Sequence, residues 1–158
     1  MELPWILDYD PATCAIGGAL AILGDRPTFL VLREAFMGVR RFGDMQRRTA
    51  MPRQVLADRL AHLVGEGLLR KVAYREVGQR TRHEYRLTAK GLDLYPVLVS
   101  LMRWGDLYAA GPAGPPILLT HRDCGEPVTL RLVCDARHEL DSAREVTPLP
   151  GPGARKIA

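Results

Sequence analysis

Residues 53–87 read RQVLADRLAHLVGEGLLRKVAYREVGQRTRHEYRL and contain the clearest pattern for the fold. The first part of this stretch repeats apolar side chains at helical spacing, which predicts a helix with one buried stripe formed by Leu56, Leu60 and Leu63. The period then changes, and residues 69–77 and 83–87 read as two strands joined by a turn rich in arginine. The stretch therefore predicts a helix followed by a basic two-stranded ribbon.

Further helices are predicted on both sides of this stretch. Three short apolar or amphipathic runs precede it at residues 14–23, 28–37 and 41–48, and Gly24 and Gly38 close the first two. Thr88 is a good N-cap for one long final helix through about Tyr108, in which Pro96 would introduce a kink. This element order is that of a winged helix-turn-helix, so we expect an α+β, mainly α fold.

The composition excludes several classes of protein. The chain has 158 residues, of which 47% are hydrophobic and 25% charged, so full-length disorder is not expected. No apolar run approaches the roughly 18 residues that span a bilayer. The acidic start lacks the basic flank of a signal peptide, and three cysteines argue against a secreted disulfide framework. We therefore expect a cytoplasmic protein with no membrane partner.

The net charge of +4 hides a basic middle and acidic ends. Residues 26–103 carry 16 Lys and Arg against 7 Asp and Glu, whereas the rest of the chain carries 6 against 11. A basic middle suits a domain that binds a polyanion such as double-stranded DNA. The alternative is a charged surface with no partner.

The predicted helix after Pro52 supplies the candidate base contacts. The polar face opposite the leucine stripe and its N-terminal flank carry Arg53, Gln54, Ala57 and Asp58. The N-terminal part of a recognition helix meets the bases, where Gln pairs with adenine and Arg with guanine. The alternative is that these positions are polar only because they are solvated.

Arginines near the helix ends and in the ribbon are the candidate phosphate contacts: Arg41, Arg47, Arg48, Arg59, Arg80 and Arg82. Those at the ribbon tip are the hardest to explain without DNA, because a tip contributes little packing. Arg47 and Arg48 also fit a helix C-terminus, which favours cations. For Arg59, a structural ion pair and a phosphate contact remain equal alternatives.

Turn-rich residues divide the sequence into zones. We expect one folded unit over residues 1–110, a linker at 111–116 (GPAGPP), a small ribbon-like segment at 117–147 and a loose tail at 148–158. The small segment holds two histidines and two cysteines that could ligate zinc: His121, Cys124, Cys134 and His138. Because the fourth cysteine of a zinc ribbon is missing, we favour a degenerate β-hairpin that has lost its metal, and we expect no cofactor.

Residues 14–108 resemble the HxlR-type winged-helix transcriptional regulators, which are relatives of the MarR type. Three stretches carry the resemblance, namely CAIGGALAILGDRPTFLVLREAFMGVRRFGDMQRR, VLADRLAHLVGEGLL and EYRLTAKGLDLYPVLVSLMRWGD. Each is weak alone, but together they stand in the order and at the spacing of the family. The sequence departs from the family at Ala50-Met51-Pro52, where the usual Gly-Ile-Ser or Gly-Ile-Ala with its capping hydroxyl is absent.

The resemblance implies a homodimer on a near-palindromic operator. In the family the N-terminal helix and the long C-terminal helix form the dimer, which here places these side chains at the interface: Ile16, Leu20, Leu94, Leu98, Leu101 and Trp104. Many members have a cysteine at the position of Cys14, and in some it senses electrophiles or oxidants. A small buried packing residue is the alternative for Cys14, and a small-molecule effector is an alternative switch.

Three function classes follow from these observations. The first is a homodimeric regulator that binds DNA by sequence, and the second is a winged-helix module that binds another protein. The third is an enzyme, for which the sequence offers no Ser/His/Asp order, P-loop or HExxH motif. The basic ribbon and the polar helix face favour the first class over the second.

Overall fold

The computed structural model describes residues 4–75, 77–78 and 80–157. Before the wing, four helices follow each other in the chain: α1 (Ala15–Leu23), α2 (Arg26–Phe36), α3 (Phe42–Thr49) and α4 (Arg53–Gly65). The strands β1 (Leu69–Tyr74) and β2 (Arg82–Leu87) come next, followed by helices α5 (Ala89–Leu92) and α6 (Tyr95–Tyr108). Two-residue strands β3 (Leu132–Val133) and β4 (Glu139–Leu140) follow, and short 3-10 helices lie at Pro4–Asp8, Pro11–Thr13 and Ala143–Glu145.

A leucine-rich core holds α2, α3, α4 and β1 together. The predicted stripe of α4 is completely buried, and it packs with residues from α2, α3 and the start of β1: Leu56, Leu60, Leu63, Val31, Leu32, Met45 and Leu69. Fully burying a leucine or valine stabilises a fold by about 1.5–3 kcal/mol, so this cluster accounts for the mutual position of the helices. The winged helix-turn-helix prediction is confirmed.

The wing is an antiparallel pair in which Leu69 lies opposite Leu87 and Tyr74 opposite Arg82. The turn before α3 is hydrogen-bonded to this pair, because the N–H of Tyr85 donates to the carbonyl of Arg40 at 2.8 Å. Arg41 and Glu84 form the adjacent backbone bridge. The start of α3 is thus fixed to the wing by backbone hydrogen bonds.

The prediction of a single long helix from Thr88 to Tyr108 is wrong, because this segment forms two helices. Thr88 does cap a helix, since its side chain accepts from the N–H of Gly91, but α5 ends after four residues. Gly91 is buried, and a Cβ there would lie 2.2 Å from the carbonyl oxygen of Leu68. Pro96 is the second residue of α6, where its missing N–H costs no helical hydrogen bond. The chain therefore breaks before the proline instead of kinking at it.

The chain divides into two compact units. The first, which we call the core unit, is Leu20–Arg103, and it contains the helix-turn-helix and the wing. The second, which we call the terminal unit, combines Met1–Ala19 with Trp104–Ala158. This division differs from the expected one, since the helices α1 and α6 each contribute residues to both units.

The terminal unit is held by hydrogen bonds between the two ends of the chain. The N–H of Ile157 donates to the carbonyl of Asp8, and the N–H of Asp10 donates to the carbonyl of Arg155, both at 2.8 Å. The expectation of a loose tail at 148–158 does not anticipate these bonds, because they join residues more than 140 positions apart. The predicted small hairpin is present as β3 and β4, with Leu132 opposite Leu140.

Among the residues that the structure describes, no single helix is long and apolar enough to cross a membrane. The successive helices α1 and α2 reach that length and composition only as a pair, with a bend of 81° between them.

Candidate nucleic-acid interface

Helix α4 exposes a polar N-terminal patch formed by Arg53, Gln54 and Asp58, while Ala57 beside it is half-buried. The leucine stripe anchors the opposite face in the core, and this anchoring fixes which side chains point outward. Pro52 occupies the N-cap position without a side-chain capping bond among the described residues, as the absent hydroxyl led us to expect. The first backbone N–H groups of α4 therefore have no side-chain partner there.

Two contacts orient the polar side chains of this patch. The Gln54 amide donates to the Asp58 carboxylate at 2.8 Å, one helical turn along. The guanidinium of Arg53 lies over the ring of Phe42, 5.1 Å from its centroid, in a cation–π contact. Since Phe42 is the first residue of α3, the N-terminal ends of α3 and α4 are neighbours. Helical spacing places Gln54 and Asp58 on one face, whereas the contact between Arg53 and Phe42 joins two helices and has no signal in the periodicity.

Helix α4 is also tied to the turn between α1 and α2. Arg59 forms an ion pair with Asp25 at 2.5 Å, and the ring nitrogen Nε2 of His62 lies 2.9 Å from the carbonyl oxygen of Ile22. Partial burial raises the pKa of Asp25, but hydrogen bonds from Thr28 and the pairing with Arg59 outweigh it and hold the pKa below its usual value. Arg59 thus has the structural ion pair that was one of its two alternatives.

A buried carboxylate connects α2 with α3. Glu34 is 0% exposed, and its two oxygens accept from Arg33 at 2.5 Å and from Arg48. Burial raises the pKa of Glu34, but the hydrogen bonds and charges of Arg48 and Arg33 outweigh it, so the net shift is downward. Arg48, a predicted phosphate contact, therefore also has a structural role, because its pairing with Glu34 joins α3 to α2.

The remaining predicted phosphate contacts lie on the surface. Arg47 pairs with Asp44 in α3, and the guanidinium of Arg41 lies 4.6 Å from the ring centroid of Tyr74. Arg80 and Arg82 are exposed at the end of the wing, beside a fully exposed Val77. Gly78 in the same turn has a φ of +77°, a conformation that glycine adopts without strain. Glu76, before Val77, and Gln79, between Gly78 and Arg80, lie outside the described residues.

The predicted dimer side chains fall into two groups. Ile16, Leu20, Leu101 and Trp104 are exposed. Trp104 is 59% accessible, and its ring is tilted against that of Tyr108 with 5.4 Å between the centroids. Leu94 and Leu98 are instead half-buried and pack against the core cluster of their own chain. Cys14 is exposed just before α1, which differs from the alternative of a small buried packing residue.

The four candidate zinc ligands are not assembled into a site. His121 and Cys124 are close, with 3.2 Å between Nδ1 and Sγ, and the backbone N–H of Cys134 donates to the carbonyl of His138. Across the described part of the chain, no three His, Cys, Asp or Glu side chains are placed to hold a metal ion. The pattern His121-x-x-Cys124 therefore forms a tight turn, closed by the bond from the N–H of Gly125 to the carbonyl of His121.

Several residues that shape this interface were not identified from the sequence. Asp25 is the N-cap of α2, and its position two residues before Pro27 is a signal that would have identified it. Glu34 offered no such signal, because a charged residue in an amphipathic helix reads as exposed. Arg40 was not singled out either, although it lies in the turn between α2 and α3 and its carbonyl accepts a hydrogen bond from Tyr85 of the wing.

The geometry defines a class of protein. A helix with a polar N-terminal patch, anchored on a three-helix scaffold beside a basic two-stranded wing, is a winged helix-turn-helix DNA-binding domain. Residues 22–111 match the family model described as HxlR-like helix-turn-helix. The chain belongs to that family.

Named relatives of this chain are helix-turn-helix regulators. Uncharacterized HTH-type transcriptional regulators of Mycobacterium tuberculosis and Mycobacterium bovis are each 50% identical over 139 residues, which is 88% of this chain and 87% of the relative. The crystal structure of PA1607, a candidate transcription factor, is similar with a TM-score of 0.77 at 33% identity, over 87% of this chain and 95% of that one. A transcription factor candidate from Pseudomonas aeruginosa gives a TM-score of 0.60 at 29% identity, over 88% and 93%.

Proposed function

We propose that this chain is a sequence-specific DNA-binding transcriptional regulator that acts as a homodimer on a near-palindromic operator. The observation that carries the proposal is the exposed patch of Arg53, Gln54 and Asp58 at the start of α4. A recognition helix enters the major groove with its N-terminal side chains on the base edges. Membership of a family whose named members are HTH-type transcriptional regulators supports the same function.

Gln54 and Arg53 are the side chains that we assign to base reading. Gln54 gives one N–H to Asp58 and keeps its other N–H and its carbonyl oxygen, which is the pair that adenine requires. Arg53 has the planar fork that guanine accepts. Ala57, one turn further on, offers a methyl contact to thymine, and Asp58 can accept from cytosine when it releases Gln54.

Phosphate contacts surround this helix in the proposal. Arg80 and Arg82 reach the backbone or the adjacent minor groove from the wing, and Arg41 and Arg47 lie at the start and end of α3. Arg48 and Arg59 also donate to phosphates in the proposal. They do so through the N–H groups that are not used in their ion pairs with Glu34 and Asp25.

The exposed apolar side chains of α1 and α6 are the proposed dimer contacts. Ile16, Leu20, Leu101 and Trp104 are each exposed to water in the single chain. Leu94 and Leu98 contribute less, because they already pack in their own core. A two-fold dimer presents two α4 helices to half-sites one DNA turn, about 34 Å, apart.

We assign the switch to the same dimer surface. Cys14 is exposed immediately before α1, so its modification or the binding of a small-molecule effector there would change the separation of the two α4 helices. A coupling of about 1–3 kcal/mol is enough for regulation. Such a regulator works where the chromosome is, in the cytoplasm, and we expect no catalytic turnover.

The test is fluorescence anisotropy with the DNA upstream of the protein's own gene, compared with a scrambled duplex over a salt series. We expect tight binding to the upstream DNA only, with a steep salt dependence that Arg80→Ala and Arg82→Ala weaken. Gln54→Ala should reduce the preference for the upstream DNA more than the overall affinity. A response to oxidant that disappears in Cys14→Ser would support the thiol switch, and one that persists would remove Cys14 from it.

Failure to bind any duplex at low salt would overturn the DNA-binding proposal. The winged helix would then be better explained as a module that binds another protein. Equal weak binding to both duplexes would contradict sequence-specific reading of this upstream DNA.

A further inference from the structure

A cleft of about 480 Å³ is lined by the turn between α2 and α3, by α3 itself and by strand β2. Its charged walls consist of four arginines and two carboxylates: Arg40, Arg41, Arg47, Arg48, Asp44 and Glu84. All of these residues belong to the core unit. The excess of guanidinium groups makes the cleft attractive to an anion.

The two carboxylates of the cleft are already paired with arginines. Asp44 pairs with Arg47, and Glu84 pairs with Arg86 at 2.5 Å. Arg40 is exposed, and its guanidinium has no hydrogen-bond or ion-pair partner among the residues described. Its donors are therefore available to an incoming anion.

The backbone that carries Arg40 is fixed in place. Its carbonyl accepts the 2.8 Å hydrogen bond from Tyr85 of β2, and the next residue, Arg41, forms the bridge with Glu84. The side chain of Arg41 is held over the ring of Tyr74. Charges on a rigid backbone bind an anion without the entropic cost of ordering a loop.

Helix α3 begins beside this cleft, and its first-turn residue Asp44 is part of the wall. Its N-cap is Arg41, which makes no side-chain capping bond, so the N–H groups that begin the helix have no such partner within the described chain. Helix N-termini of this kind favour phosphate groups. The first residue, Phe42, also carries the cation–π contact with Arg53, which places the cleft next to the start of α4.

We propose that this cleft is a phosphate site whose principal donor is Arg40. The inference rests on the proposed function where the phosphate belongs to a DNA backbone, and a phosphate seated here would fix the position of Arg53 and Gln54 on the bases. The same chemistry accepts the phosphate of a small molecule, which would then compete with DNA for the cleft.

The DNA arm of the test measures binding by fluorescence anisotropy for Arg40→Ala and for a matched variant, Arg122→Ala. Arg122 is exposed in the terminal unit and its removal costs the same single charge. We expect Arg40→Ala to weaken binding to the upstream and the scrambled duplex by the same factor, roughly 5- to 10-fold. The slope of log affinity against log salt concentration should fall in magnitude by about one. Arg122→Ala should leave both quantities nearly unchanged. Arg40→Gln repeats the measurement if Arg40→Ala lowers the thermal unfolding temperature.

A second arm distinguishes the sources of the phosphate. Isothermal titration with inorganic pyrophosphate, without DNA, tests for Arg40-dependent binding of a free phosphate compound. Pyrophosphate binding that Arg40→Ala abolishes, together with displacement of DNA at constant ionic strength, identifies a small-molecule source. The DNA backbone is the source if Arg40→Ala weakens DNA binding but no pyrophosphate binding is found. The loss of affinity caused by Arg40→Ala should then disappear on a duplex in which the contacted backbone phosphate is replaced by a neutral methylphosphonate.

The outcomes separate this inference from the proposed function. A protein that binds no duplex but binds pyrophosphate through Arg40 would overturn the proposed function and retain the cleft. Tight operator binding with equal small effects of Arg40→Ala and Arg122→Ala, and no pyrophosphate binding, would overturn the cleft and retain the regulator.

Discussion

The core unit and the terminal unit differ in how their folds are held together. The core unit contains a cluster of buried leucines, valines and methionines and a fully buried carboxylate, Glu34. In the terminal unit, every residue whose burial is described between 6 and 19 and between 104 and 157 is exposed or half-buried. Its elements are the outer parts of two helices, short 3-10 turns and two-residue strands.

The two units differ in the source of their folding free energy. Burial of apolar surface is the main favourable contribution to folding, so the core unit is stable through its own residues. The terminal unit relies on hydrogen bonds, each of which contributes about 0.5–1.5 kcal/mol net. It also leaves Trp104, Leu107 and Tyr108 in water, which supports the proposal that a second copy covers them.

The buried carboxylate of the core unit should be the most costly feature to disrupt. Removing both of its partners, in the double variant Arg33→Ala with Arg48→Ala, leaves Glu34 charged and unpaired in the interior. Breaking a buried pair in this way costs about 3–5 kcal/mol of the free energy of unfolding. Urea denaturation measures the loss, and adding Glu34→Met to the double variant should recover most of it because an apolar side chain needs no partner.

The pH dependence of this effect has a definite sign. In the native protein the pKa of Glu34 lies below the ordinary value of 4.5, so its contribution is complete above pH 4.5 and is lost as the pH falls through the lowered pKa. Without the arginines, burial alone acts and raises the pKa. The deficit of the double variant should therefore shrink on acidification. A deficit that is constant from pH 7 to pH 4 would contradict the assignment.

A pair of leucines compares the two units directly. Leu60 is completely buried in α4, whereas Leu132 in β3 is 66% exposed. We expect Leu60→Ala to lower the free energy of unfolding by about 2–5 kcal/mol and Leu132→Ala by no more than about 0.5 kcal/mol. Equal losses, measured by urea denaturation over a range of protein concentrations, would reveal a core that the terminal unit acquires only in an assembly.

The features of the core unit that depend on local sequence could be predicted. The stripe Leu56, Leu60 and Leu63 was predictable because helical periodicity is a local property, and all three are buried. The polar patch on the opposite face followed from the same periodicity. The wing was predictable from the change of period, although β1 ends at Tyr74 and not at Val77.

Contacts between distant residues were not predictable in this way. Arg48 and Arg59 were predicted as phosphate contacts, with a structural ion pair as the equal alternative for Arg59. Their partners Glu34 and Asp25 lie 14 and 34 residues away in the sequence. Charge and periodicity give no pairing across such separations. The backbone bonds between Asp8 and Ile157 and the break between α5 and α6 depend equally on tertiary packing.

The smallest expected effect concerns one strained residue in each unit. Ala50, at the C-cap of α3, has a φ of +53°, and Arg137, between β3 and β4, has a φ of +65°. A left-handed conformation costs a non-glycine residue about 1–2 kcal/mol, and glycine gives back about 0.5–1 kcal/mol through its freedom when unfolded. We therefore expect Ala50→Gly to raise the free energy of unfolding by up to about 1 kcal/mol.

Arg137→Gly should leave the free energy of unfolding unchanged, because an exposed hairpin opens locally before the core unit unfolds. The helical control Ala61→Gly should instead lose about 0.5–1 kcal/mol, and a stabilising Arg137→Gly would show that the two units unfold together.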